Sequence, residues 1–175
     1  MLAKTHMMSS ATILLPTLYF IPIEYAAVFI VAGMLGSLFP DIDEPRSLIS
    51  SKVYFVSKLI SMFTKHRGVT HTIAILVLYS AIILWISDLY FTLEIGVYAA
   101  LGFSLGNLLH CMGDAATKEG GVAIFYPITS KRFYILPHSL RFKTAGTLER
   151  AFILPFFSVL VIGELFLISK FITQQ

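Results

Sequence analysis

Residues 101–114 read LGFSLGNLLHCMGD, and the reading of this stretch decides the fold. Gly102, Gly106, His110 and Asp114 recur every four residues, so on a helix they form one stripe. The glycine half of the stripe is a GxxxG, which lets a second helix approach closely in a membrane. The other half ends in a histidine and an aspartate one turn apart, a ready chelating pair. Asn107 stands one turn before His110, as a further ligand or as a partner that orients one. Cys111 points about 100° away from His110 and reads as a small buried thiol.

The whole chain supports a membrane setting for this helix. Of its 175 residues 57% are hydrophobic and only 13% charged, with a mean hydropathy of +0.81. A soluble domain carries about 25% charged residues, so too little charge is present to cover a water-facing surface. Disorder, a secreted disulfide scaffold and a soluble enzyme are excluded. Cys111 is the single cysteine, so no internal disulfide forms. The formal charge of +3 bears on orientation in the bilayer rather than on nucleic-acid binding.

Working outward, residues 93–112, 24–39, 69–86 and 151–171 are apolar enough to span, and residues 7–21 form a shorter fifth stretch punctuated by Pro16 and Pro22. That fifth stretch is either a short span or one arm of an embedded hairpin. Lys and Arg gather in residues 41–68 and 113–150 and at Lys4, whereas the turns near Pro22 and at 87–92 hold none. Five spans put the N-terminus and both basic loops on one side, which the positive-inside rule makes cytoplasmic. Within the first basic loop, residues 47–63 carry Val53, Val56, Leu59, Ile60 and Phe63 at helical spacing. They read as an amphipathic helix, lying in the headgroup region or forming the core of a small cytosolic cap. The expected fold is an all-α integral membrane protein, a single domain over residues 1–175. It is a bundle of about five transmembrane helices with an interfacial amphipathic helix and a cytoplasmic capping loop at 115–148.

In such a chain every acidic or histidine residue at a span end needs a reason. His6, Asp41, Asp43, His71, His110, Asp114 and Glu149 fall at five span ends, all on the basic side. The far side holds Glu24, Asp88 and Glu94, and Glu164 lies mid-span. Gly33, Ser37 and Asp41 also step by four. Packing that stripe on the glycine stripe of residues 101–114 brings Asp41 beside His110 and Asp114. The run His66-Arg67-Gly68-Val69-Thr70-His71 adds two imidazoles, with a turn at Gly68 and Thr70 as the expected cap of the next helix. His138, in a polar loop, reads as solvated.

Four histidines (His6, His66, His71, His110) and four carboxylates (Asp41, Asp43, Asp114, Glu149) are enough for two metal ions. Mixed N/O donors suit Zn²⁺, with Mn²⁺ or Fe²⁺ next, better than Ca²⁺ or Mg²⁺. Such a centre points to hydrolysis, with Asp43 or Glu149 as the general base and Arg67, Lys131 and Arg132 as phosphate anchors. Its place at headgroup level points to a phosphoester of a membrane lipid or lipid-linked substrate. Two rivals use the same ligands: a metal-ion transporter or sensor, and a membrane module with a structural metal. Transport asks for a polar path across the bilayer, and only Glu164 lies at mid-depth.

Pro40-Asp41-Ile42-Asp43-Glu44-Pro45, His66 to Thr72, and the HxxxD of His110 and Asp114 resemble the motifs of the LexA-regulated, inner-membrane, metal-dependent hydrolases (YdjM-like) of bacteria. Thr5-His6, Thr117, Gly121-Val122, Pro127, Lys131-Arg132-Phe133 and Leu148-Glu149-Arg150 continue the likeness over nearly the whole chain. Two positions depart from the pattern: Thr72 stands where serine is common, and Cys111 where an apolar residue is usual. The resemblance implies a metal-dependent hydrolase of the bacterial inner membrane. More loosely, the order of aspartate, histidine and HxxxD is similar to zinc-dependent phospholipase C.

Overall fold

The structure is a computed structural model that describes residues 1–64, 67–119 and 121–173, the side chain of Ile172 excepted. Among these residues it is all-helical, with two isolated bridges (Thr117 with Phe142, Val122 with Phe133) and no strand. Six helices follow in order: α1 (Ala3–Thr17), α2 (Ile23–Gly36), α3 (Tyr54–Phe63), α4 (Ile73–Tyr90), α5 (Leu93–Ala115) and α6 (Leu154–Thr173). Of the described helices, three are long and apolar enough to cross a membrane: α4, α5, and α6 together with the π-helical turn Glu149–Ile153 that opens it. At 15 and 14 residues, α1 and α2 are shorter than the roughly 20 that a full span needs. Among the described residues the bundle therefore joins three helices long enough to span with the shorter α1 and α2.

Helix α5 is the centre of the bundle, and α2 packs along it more extensively than any other pair. Glycines set that distance. A Cβ at Gly106 would run into the Gly33 carbonyl, and one at Gly102 into the carbonyl of Phe29. The two stripes read from the sequence thus face each other at backbone contact, which van der Waals packing in lipid rewards. Helix α4 closes the other side of α5 with a Ser80–Ser104 hydroxyl hydrogen bond of 2.8 Å. Phe39, Tyr79 and Phe103 form an edge-to-face aromatic cluster that ties the end of α2 to α4 and α5. Helix α6 lies along α1 and leaves Phe152, Phe156, Val159 and Ile162 exposed to the surroundings, as a lipid-facing helix does.

Three local expectations are corrected. The amphipathic helix occupies Tyr54–Phe63 rather than residues 47–63, because the hydroxyls of Ser47 and Ser50 donate to the carbonyls of Asp41 and Ile42 and hold residues 47–53 in turns. Its apolar side is uncovered, with Phe55 86% and Phe63 79% exposed, so it is not the core of a cap. The span expected at residues 69–86 begins instead at Ile73, after a 3₁₀ turn at Val69–His71. Thr72 rather than Thr70 caps it, its hydroxyl accepting from Ile75 N–H at 3.2 Å.

Candidate metal centre

The ends of α2 and α5 and the starts of α1, α4 and α6 meet at one end of the bundle. The segment after α5 folds back over it: Ile73 N–H bonds to the Ile124 carbonyl and Ile135 N–H to that of Ala115. Cys111, Ala115 and Val122 form a small buried core beneath this cover. Cys111 is a buried free thiol whose Sγ donates to the His71 carbonyl at 3.6 Å.

Asp41, His71, His110 and Asp114 each offer one donor atom, and the four atoms lie within 4.8 Å of one another. His110 Nε2 is 3.5 Å from Asp41 Oδ1 and 3.9 Å from Asp114 Oδ2, and His71 Nε2 is 3.9 and 3.7 Å from the same two oxygens. These separations exceed the 2.7–3.2 Å of a hydrogen bond. They approach the roughly 3–3.5 Å at which two ligands stand when each is about 2.0–2.2 Å from a shared ion.

The protons on both imidazoles are placed by their outer partners. His110 Nδ1 lies 2.7 Å from the Ser37 carbonyl at the end of α2. A carbonyl only accepts, so Nδ1 carries a proton and Nε2 is the nitrogen that faces the centre. His110 Nε2 is buried there with no hydrogen-bond partner among the described residues. Thr70 does the same for His71: its hydroxyl donates to Asp43 Oδ2 at 2.5 Å and receives Nδ1–H at 2.9 Å. Burial, aided by His110 and opposed by Asp43, lowers the His71 pKa from 6.5 to about 4, so this donor is neutral at physiological pH. Burial pushes the Asp41 carboxyl up, but the His110 imidazole outweighs it and holds the group well below the usual carboxylate range. A neutral imidazole at His71 and an ionised carboxylate at Asp41 are the protonation states that metal binding requires.

The remaining expected residues stand around this quartet. His6 stacks on His110 with ring centroids 3.8 Å apart, and its Nε2 is 3.2 Å from Asp114 Oδ1. Asp43 lies behind His71, near the ring nitrogen that faces Thr70. Both oxygens of Glu149 accept backbone N–H groups, from Leu2 at 2.7 Å and Ala145 at 2.6 Å. It fastens the N-terminal segment to the start of the last span. Arg67, in a left-handed backbone conformation (φ 61°), grips Asp114 at 2.8 and 3.0 Å and the Thr117 hydroxyl at 3.1 Å. The Met1 amine also pairs with Asp114. Arg132 donates to the Gly121 carbonyl at 3.3 Å and lines a separate cavity with Arg67; Lys131 is exposed. His66 lies outside the described residues.

The sequence did not single out Thr70 as a link between Asp43 and His71, nor Ser37 as an acceptor. The signal for Ser37 was present, because carbonyls in the last turn of a helix lack helical partners. Thr70→Val removes the link without removing a donor from the quartet. Zinc affinity, measured by competition with a chelator, is expected to fall about 10–100-fold, with little change for Ser80→Ala, whose hydroxyl pairs with Ser104 on α5.

A cleft of about 740 Å³ reaches the centre, with Asp41, Asp114 and Arg67 on its floor and Lys4, Arg46, Arg150 and Glu44 around it. Lys4, Arg46 and Arg150 entered the sequence reading only through topology and motif. Folding turns them into a cationic rim.

Comparison with known proteins places this arrangement among relatives. The family described as YdjM inner membrane protein matches over residues 1–171. The "Inner membrane protein YdjM" of Escherichia coli (strain K12) is 33% identical over 97 residues, 55% of this chain and 47% of that protein. The same holds for the Shigella flexneri protein of that name, so the chain spans about half the length of these curated relatives. The "Uncharacterized protein YvsG" of Bacillus subtilis (strain 168) is 30% identical over 132 residues, 74% of this chain and 75% of that protein. No solved structure matches.

Proposed function

The chain belongs to the YdjM inner membrane protein family, and we propose that it is a metal-dependent hydrolase acting on a phosphoester of a membrane lipid or lipid-linked substrate. The observation that carries this reading is the quartet's opening: Asp41 and Asp114 belong both to the donor set and to the floor of a cleft rimmed by cations. A purely structural metal needs no such access. When bound, a divalent ion, Zn²⁺ by the donor set or else Mn²⁺ or Fe²⁺, acidifies water and polarises a phosphoryl oxygen.

The chain's own residues do the rest. Lys4, Arg46 and Arg150 draw an anionic head group into the cleft, and Arg67 fixes the Asp114 carboxylate from behind. Asp43 keeps His71 in the donor tautomer through Thr70, which is a positioning role. Asp41, His71, His110 and Asp114 would hold the ion, with His6 beside Asp114 as a further donor for a second one. The basic segments 41–68 and 113–150 support a cytoplasmic setting for this end of the bundle.

The test is phosphate or phosphoester release from vesicles of phosphatidylglycerol or phosphatidic acid by purified, zinc-loaded protein. Arg46→Ala with Arg150→Ala is expected to raise KM about tenfold, the equivalent of roughly 1.4 kcal/mol of lost head-group attraction, while bound zinc stays at wild-type stoichiometry. A fully metal-loaded protein that hydrolyses none of these lipids would overturn the reading in favour of a structural metal.

A further inference from the structure

A second cavity, of about 680 Å³, lies between α1, α5, α6 and the underside of the segment that follows α5. Its wall includes Ile13, Leu109, Met112, Leu136, Phe152 and Phe156. The hydroxyls of Ser9 and Thr12 also border it, but each donates to a carbonyl of its own helix, His6 at 3.2 Å and Ser9 at 2.7 Å. The cavity therefore gives a polar occupant almost nothing to bind.

Two facts about its position define the occupant. It is walled by the ends of two helices long and apolar enough to cross a membrane, α5 and α6, so its mouth opens along the face that these helices would turn to lipid. It also abuts the metal centre. Met1 borders both this cavity and the cationic cleft, and Gly113 on its wall stands against the His6 ring. Water in such a space would lack the 2–4 polar partners it needs. A peptide segment would bury backbone groups without partners. A hydrocarbon chain costs neither, and the volume lies within the about 300–1,000 Å³ usual for small-molecule sites.

We infer that this cavity is an acyl-chain site that takes one hydrocarbon chain of a phospholipid. Its head group would lie in the adjoining cleft above Asp41 and Asp114. The head-group half rests on the hydrolase reading; the chain half does not, and is testable in protein stripped of metal.

The experiment measures binding of a 16-carbon lysophosphatidylglycerol and of its six-carbon analogue to EDTA-treated, delipidated protein in detergent. Wild type is expected to prefer the long chain by at least tenfold. Thr12→Trp or Met112→Trp, which fill the cavity from α1 or α5, are expected to abolish that preference. Phe166→Trp, on the exposed part of α6, is expected to leave it unchanged. A photo-reactive 16-carbon probe serves should both filled variants fail to fold. In wild type its crosslinks are expected at Leu109 or Met112. Folded filled variants that keep the preference, or crosslinks confined to Val159 and Ile162, overturn the proposal. Chain binding without phosphate release from metal-loaded protein overturns the hydrolase reading alone.

Discussion

His110→Ala and Asp41→Asn are each expected to leave the purified protein without stoichiometric divalent metal and, with it, without the proposed hydrolysis. The affinity loss is larger than the roughly 10–100-fold that a partner outside the ligand set costs, because each change deletes one of four converging donors. Asp41→Asn keeps the side-chain shape and removes the charge, so it separates loss of the ligand from loss of packing. His110→Ala also frees the Ser37 carbonyl, and its fold is checked by thermal unfolding in detergent. His138 lies exposed on the cover segment, and His138→Ala is expected to retain full metal by elemental analysis. Stoichiometric zinc in His110→Ala would rule out the quartet.

Gly106→Leu is expected to produce the largest loss of stability of any single change in the bundle. A Cβ at this position meets the Gly33 carbonyl and the Ser37 backbone nitrogen, which are backbone atoms that cannot rotate aside. Helix α2 would have to move off α5, at a cost of about 3 kcal/mol, the upper part of the usual range for overpacking. Because Ser37 and Asp41 travel with α2, metal binding is expected to fail as well. Gly163, on the lipid-facing α6, has open space around it, with no atom within 4 Å of where a Cβ would stand. Gly163→Leu is therefore expected to change stability by no more than about 0.5 kcal/mol. Thermal unfolding of both variants in detergent micelles makes the comparison. Equal melting temperatures would show that the α2–α5 contact is not set by glycine.

The α2–α5 pair was legible in the sequence because small residues at a fixed spacing of four have few other uses in an apolar helix. The same spacing carried His110 and Asp114 onto the stripe of α5, and Gly33 and Ser37 onto the facing side. Periodicity alone could place only the two donors on α5, because α2 ends at Gly36 and Asp41 lies in the 3₁₀ turn Phe39–Asp43 that follows it. His71 joins them through a turn, and turns follow hydrogen bonds that no period reveals. The Asp43–Thr70 bond is one such case, and it also moved the helix cap to Thr72. Ser47 and Ser50 likewise broke an apolar pattern that on its own predicted a longer amphipathic helix.

Glu149 shows a further limit of pattern reading. Its position at a span end matched that of the quartet residues, yet its two oxygens are taken by the N–H groups of Leu2 and Ala145. A carboxylate at a helix start is equally suited to metal and to backbone donors, and only tertiary packing decides. The cationic rim was hidden for a similar reason. Lys4, Arg46 and Arg150 are far apart in sequence and meet only when the N-terminal segment, the turn after α2 and the start of α6 fold together.

The most direct test of the metal centre is X-ray absorption spectroscopy on purified, zinc-loaded protein, with Asp41→Asn and His71→Ala measured beside it. The geometry predicts only nitrogen and oxygen neighbours at about 2.0–2.2 Å, with the multiple-scattering signature of two imidazoles in wild type and of one in His71→Ala. A sulfur neighbour near 2.3 Å, or an imidazole count that His71→Ala leaves unchanged, would contradict it.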